Sequence, residues 1–160
     1  MENATKALLI AAAVLMGIMV ITLGVTLYVS IMNQVVATRE EMEANAIYKF
    51  NTQFLNYETP DTVTFQDVVS AASLAYQSNS QYTFDTASLH NGNDFYVSVL
   101  ADVKITQDGS YSQKNIENIV GNAKDLADLL SYNFDVKYKC TSIKISDSTK
   151  RVYQIIFTKN

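Results

Sequence analysis

From Ala7 to Met32 no residue carries a charge, and apolar side chains fall on every side of a helical wheel instead of along one stripe. These twenty-six residues would extend about 39 Å as a helix, more than the ~30 Å hydrocarbon thickness of a bilayer. The pattern predicts a transmembrane helix over 7–32, preceded by a short cytoplasmic N-terminus, 1–6. Apolar residues all round exclude a helix lying in the plane of the membrane. A cleaved signal peptide is the competing reading, because Val35-Val36-Ala37 offers small residues near the end of the run. Such peptides have an apolar core of roughly 7 to 15 residues behind several positive charges, whereas Lys6 stands alone beside Glu2.

After the span the period becomes helical and one-sided. No glycine or proline falls between Ser30 and Tyr57, so the helix is expected to continue into water as a stalk, 33–58. Ile47, Phe50, Phe54 and Tyr57 recur at three, four and three, a stripe that must face a partner surface, most simply the chain's own domain. Glu58-Thr59-Pro60-Asp61 stops it, because the residue before a proline is pushed out of the helical region. Thr64 and Asp67 then read as a capping box opening a helix over about 65–78, with Phe65, Val68, Val69, Ala72 and Tyr76 as its apolar stripe.

The period next drops to two. Tyr82 to Ala87 reads as a strand, Asn91-Gly92-Asn93 as a turn, and Asp94 to Thr106 as the clearest strand, with Val97, Val99, Ala101, Val103 and Ile105 on one face. Gln107-Asp108-Gly109-Ser110 is a turn. A helix is expected over 115–131, with Ile116, Ile119, Val120, Ala123, Leu126 and Leu130 as its stripe, weakened at Gly121. The chain closes as a hairpin. Phe134, Val136, Tyr138 and Cys140 alternate, a bulge near Ser142 shifts the phase, Asp147-Ser148-Thr149-Lys150 turns, and Tyr153, Ile155 and Phe157 return. The expected fold class is α+β: a long N-terminal transmembrane and stalk helix, then a head over 62–160 with a small antiparallel sheet packed by two helices.

Composition narrows the function. The 128 residues after Met32 are enough for one domain with a core, and 48% hydrophobic with 18% charged is a folded composition. One Cys excludes an internal disulfide, and one His with no Trp leaves little material for catalysis or a metal. The net charge of −4 argues against nucleic acid as a partner. No enzyme activity, cofactor or metal is expected. The α-amino group and Lys6 before the span, against Arg39 after it, place the N-terminus inside and the C-terminal domain outside the cell membrane.

Two groups of residues stand out. Ala13, Gly17 and Gly24, spaced by four and seven, line one side of the span and would let helix backbones approach closely. Thr22 and Thr26 would either bond across that interface or back-bond to their own helix. Glycine is also simply frequent in membrane helices. In the hairpin, Lys137, Lys139, Lys144, Lys150, Arg151 and Lys159 face only Asp147, a balance of +5, while Asn33 to Val136 carries −9. Three readings stay open for Lys137, Lys139, Lys144, Lys150 and Arg151: docking on the acidic surface of a next subunit, adhesion to anionic lipid or wall polymer, or a lysine-guarded edge strand that blocks unwanted pairing. Asp85, Asn91, Asn93 and Asp94 offer oxygens to calcium at no recognisable loop spacing. Cys140 reads as a small core hydrophobe rather than a partner for His90. Asn3-Ala4-Thr5 fits a glycosylation sequon but lies on the expected cytoplasmic side.

A hydrophobic N-terminal helix that continues as an amphipathic stalk into a small α/β head resembles the type IV pilins and the pseudopilins of type II secretion systems. The resemblance implies that the apolar half-helix holds the subunit in the membrane before assembly and lines a filament core afterwards, with the heads outside. The opening ENATKALLIAAAVL, the run Tyr48 to Tyr57 and the close Tyr138 to Ile143 also resemble a group of uncharacterised single-pass proteins of Gram-positive gut bacteria, a likeness that implies a bacterial surface and carries no known activity. The expected function is therefore a non-enzymatic, membrane-anchored surface subunit, pilin-like, that forms a homo-oligomer or filament through its N-terminal helix. The alternative is a single-pass anchored monomer whose head binds a ligand or protein.

Overall fold

The computed structural model describes residues 2–82 and 95–160. The expected strand over 82–87, the turn at Asn91-Gly92-Asn93, and His90, Asp85, Asn91, Asn93 and Asp94 lie wholly or mainly outside those residues. The first element, α1 (Glu2–Leu55), is one uninterrupted helix. The chain divides into two compact units, residues 1–45 and Ala46–Asn160, so the last turns of α1 belong to the second unit. Within the first unit no described side chain is buried, and Leu8, Leu15, Ile21, Leu27 and Ile31 are all exposed. That segment is long and apolar enough to cross a membrane.

The second unit is α+β. After α1 come β1 (Val63–Thr64), α2 (Phe65–Ser80), β2 (Ser98–Val103), β3 (Ser112–Asn115), α3 (Glu117–Val120), α4 (Ala123–Asn133), β4 (Lys137–Ile145) and β5 (Val152–Lys159). The strands form one sheet in the order β1-β4-β5-β2-β3. Three of its pairings are antiparallel, as expected, but β2 and β5 run parallel, so the sheet is mixed.

Local signals account for several boundaries. Thr64 and Asp67 make the capping box: the Thr64 N–H donates to Asp67 Oδ2 at 2.8 Å, and the Asp67 N–H to Thr64 Oγ1 at 3.3 Å. Phe65, Val68, Ala71, Ala72 and Ala75 turn inward from α2, while Tyr76 stays half exposed. Phe54 is fully buried, Phe50 and Tyr57 pack around the same core, and Tyr57 meets Phe157 edge to face at 6.0 Å. The stripe at the end of α1 therefore faces the chain's own sheet.

Elsewhere the structure departs from the expected pattern. The helix expected over 115–131 is two. Asn115 ends a polar edge strand, α3 stops at Gly121, and Asn122 caps α4 by accepting the Lys124 N–H at 3.1 Å. Ala123 is exposed, and Leu129 takes the buried position on α4 instead. Phe134 closes α4 rather than opening β4, and it is 71% exposed. β2 ends at Val103, so Ile105 is half exposed and does not continue the buried face.

The bounds of β2 have a specific cause. Asn79, near the end of α2, donates from Nδ2 to the Val97 carbonyl at 2.9 Å and accepts the Val97 N–H at 2.8 Å. Asn133, the last residue of α4, does the same to Lys104, with both bonds at 2.9 Å. Each amide supplies one donor and one acceptor, as a neighbouring strand would, and so completes the backbone on either side of β2. Asn51 repeats the device at the start of β5, donating to the Lys150 carbonyl at 2.7 Å and accepting the Val152 N–H at 2.9 Å.

Candidate functional site

On α1, Ala13, Gly17 and Gly24 are exposed on one side of the helix. A β-carbon added at Gly17 or Gly24 would meet nothing within 4 Å. Thr22 donates to the Ile18 carbonyl at 2.8 Å and Thr26 to the Thr22 carbonyl at 3.0 Å, so both hydroxyls back-bond to their own helix.

The basic hairpin separates into distinct environments. Lys137 and Lys139 point away from the core, alternating with buried Tyr138 and Cys140. By strict alternation Lys144, five residues beyond Lys139, would point the other way. The register slips between Cys140 and Ser142, where Thr141 is the extra residue, and this restores Lys144 to the face of Lys137 and Lys139. Three lysines thus line one face of β4. Lys150 sits in the turn with φ of 57°, and its carbonyl is held by Asn51. Lys139 approaches Asp61 at 3.7 Å, both side chains being well exposed.

Arg151 is engaged within its own unit. Its guanidinium lies 4.0 Å from the Phe50 ring centroid, donates to Tyr82 Oη at 2.8 Å and to Ser78 Oγ at 3.3 Å. The planar, delocalised cation suits this stacked, two-armed arrangement, which joins α1, α2 and β5. Beyond Tyr138, β4 has no neighbour on its outer side among the described residues, so Lys139 and Lys144 lie on a sheet edge.

A buried carboxylate, not singled out by the sequence pattern, sits at the start of α3. Glu117 is 1% exposed. Its Oε2 accepts the Val99 N–H at 2.9 Å, and its Oε1 accepts from Asn115 Nδ2 at 3.0 Å and from the Tyr96 hydroxyl at 3.1 Å. Burial raises the pKa of Glu117, and the bond from Val99 opposes that rise. Tyr96 is raised by burial and then by the Glu117 charge. A cavity of about 170 Å³ adjoins them, lined also by Tyr76, Asn79, Tyr82 and Asn118. With both carboxylate oxygens occupied by donors, Glu117 fastens β2 to α3. Cys140 is buried on the core face and its thiol pKa is raised by that burial, the environment of an inert structural cysteine.

Two grooves adjoin α4. One, of about 300 Å³, runs between Thr64, Gln66, Leu130 and the exposed Phe134. The other, of about 360 Å³, has an apolar floor of Ile105, Ile119 and Leu129, rimmed by Asp125 and Asp128. Comparison of the chain with protein-family models, curated proteins and solved structures gives no match.

Proposed function

We propose that this chain is a non-enzymatic, membrane-anchored surface subunit, with its C-terminal unit outside the cell, that assembles into a pilin-like filament or secretion apparatus through its N-terminal helix. One observation carries the reading. A single helix contains both an exposed, charge-free apolar run and a terminal segment built into a folded unit, where Phe54 is fully buried. An apolar surface of that length needs lipid or other helices around it. Ala13, Gly17 and Gly24 give neighbouring copies a side on which backbones come close, and among the described residues a β-carbon at either glycine would meet nothing within 4 Å.

The test is negative-stain microscopy of material sheared from cells expressing the chain, with mass spectrometry of its N-terminus. The expected result is filaments made of this subunit, lost in Gly17→Leu or Gly24→Leu while the C-terminal unit melts unchanged. Chain found only in detergent-extracted membrane, with no filaments, overturns the reading. That outcome favours the second reading, an anchored monomeric binding module. Phe134, a large aromatic left exposed on the rim of the groove beside α4, supports it.

A further inference from the structure

The face of the sheet opposite the helices has a composition of its own. Leu100 and Ile156 are registered partners on β2 and β5, half-buried, and outside the core cluster formed by Val99, Ala101, Ile155 and Phe157. Ser142 is registered on the other side of Ile156, so this apolar pair lies beside β4. Lys139 and Lys144 then border it, the latter placed there by the bulge at Thr141. This face has an apolar centre with a basic margin along β4, and the Asp102 carboxylate follows Leu100 on the β2 side. The helix layer on the far side of the sheet carries the complement, the groove floored by Ile105, Ile119 and Leu129 and rimmed by the exposed carboxylates of Asp125 and Asp128.

We infer that the lysine-bordered sheet face docks on the Asp125–Asp128 groove of a second copy of this chain. A lysine stem can lie along an apolar floor while its ammonium reaches carboxylates at the rim, which is the shape and charge the groove presents. The two surfaces lie on opposite sides of one sheet. The contact is therefore heterologous, and it propagates head to tail instead of closing into a symmetric dimer. This inference rests on the proposed self-assembly of the chain and names the surfaces through which the C-terminal units would meet.

Charge reversal in the full-length chain, purified in detergent, tests it. Lys139→Glu with Lys144→Glu, and separately Asp125→Lys with Asp128→Lys, should each weaken self-association at least tenfold by sedimentation. Mixing the two variants should restore it, because every sheet face then meets a groove of opposite charge. Raising salt should weaken association of the unaltered chain. All four side chains are exposed, and unchanged thermal melts confirm folding. If a reversal misfolds, Lys144→Ala and Asp128→Asn should still each lower association. Docking is overturned if the reversed variants assemble like the unaltered chain, or if the mixture stays dispersed. Loss with the lysine variant alone, accompanied by lost binding to phosphatidylglycerol vesicles, overturns it in favour of an anionic membrane. An unaltered chain that never associates removes the filament reading and the docking together, whereas association indifferent to the reversals removes the docking only.

Discussion

Gly17 and Gly121 are the same residue in opposite surroundings. A β-carbon at Gly17 would meet nothing within 4 Å, while one at Gly121 would lie 3.0 Å from the Tyr76 ring. The difference holds for the two units as wholes. Residues 2–45 bury none of their side chains, and their conformation follows from hydrogen bonds between near neighbours. Residues 46–160 enclose a core in which Val68, Val99, Ile155 and Phe157 are fully buried. A side chain in the first unit can be changed with little effect on folding. In the second unit, truncating a buried side chain costs stability, while exposed ones such as Lys139 and Asp125 can be changed without unfolding it.

The largest expected effect comes from truncating the core. Phe54→Ala should destabilise the C-terminal unit by about 3–5 kcal/mol, read as a lowered denaturation midpoint of the full chain in detergent. Leu15→Ala, on the same helix but exposed, should leave that midpoint unchanged. Equal effects from the two would erase the contrast.

Next come the amide clamps. Asn79→Ala or Asn133→Ala removes both partners of a strand-end backbone, and each should cost about 2–4 kcal/mol. Hydrogen exchange should become faster at Val97 in the first variant and at Lys104 in the second. Protection unchanged at those amides would mean that the clamps are dispensable.

Arg151→Ala should cost about 1–2 kcal/mol by removing the stack on Phe50 and the bonds to Tyr82 and Ser78. Arg151→Lys should recover only part of this, since an ammonium lacks the planar fork. Full recovery would show that charge alone matters there.

The smallest effect is confined to a pH window. Glu117 has a folded-state pKa raised above its ordinary 4.5 by burial, so the folded chain holds that proton more tightly than the unfolded chain. Its stabilising contribution is complete below about pH 4.5 and is lost as pH rises through the elevated value. Denaturation midpoints of the unaltered chain, relative to Glu117→Gln, should therefore fall as pH is raised through that window. A relative rise would contradict the assignment.

Features decided by neighbouring residues were legible in the sequence. The apolar run, the capping box of Thr64 and Asp67, the turn after Ser146 and the bulge near Ser142 all depend on residues a few positions apart. The stripe of Ile47, Phe50, Phe54 and Tyr57 revealed a buried side because burial leaves a helical period. The break at Gly121-Asn122 was signalled by glycine followed by a capping residue, but the apolar spacing ran through it and suggested one helix. β3 carries Ser112-Gln113-Lys114-Asn115, polar throughout, and exists as a strand because it pairs with β2. Of the candidate site, the lysines and small residues could be picked out by type. Arg151 could not be told apart from the hairpin lysines without its aromatic neighbours.

By itself the sequence determined where an apolar helix must lie, which faces of α2 and β2 turn inward, and that a basic hairpin follows an acidic stretch. These follow from local periodicity and charge, which any fold must accommodate. Only the tertiary structure decided the parallel pairing of β2 with β5, the three asparagine clamps and the buried partners of Glu117. The reason is distance along the chain. Asn79 reaches 18 residues to Val97, Asn133 reaches 29 to Lys104 and Asn51 reaches 101 to Val152. No local pattern specifies which distant backbone an amide will meet. The lysine-bordered face likewise needed both the bulge at Thr141 and the register of three strands before its residues came together.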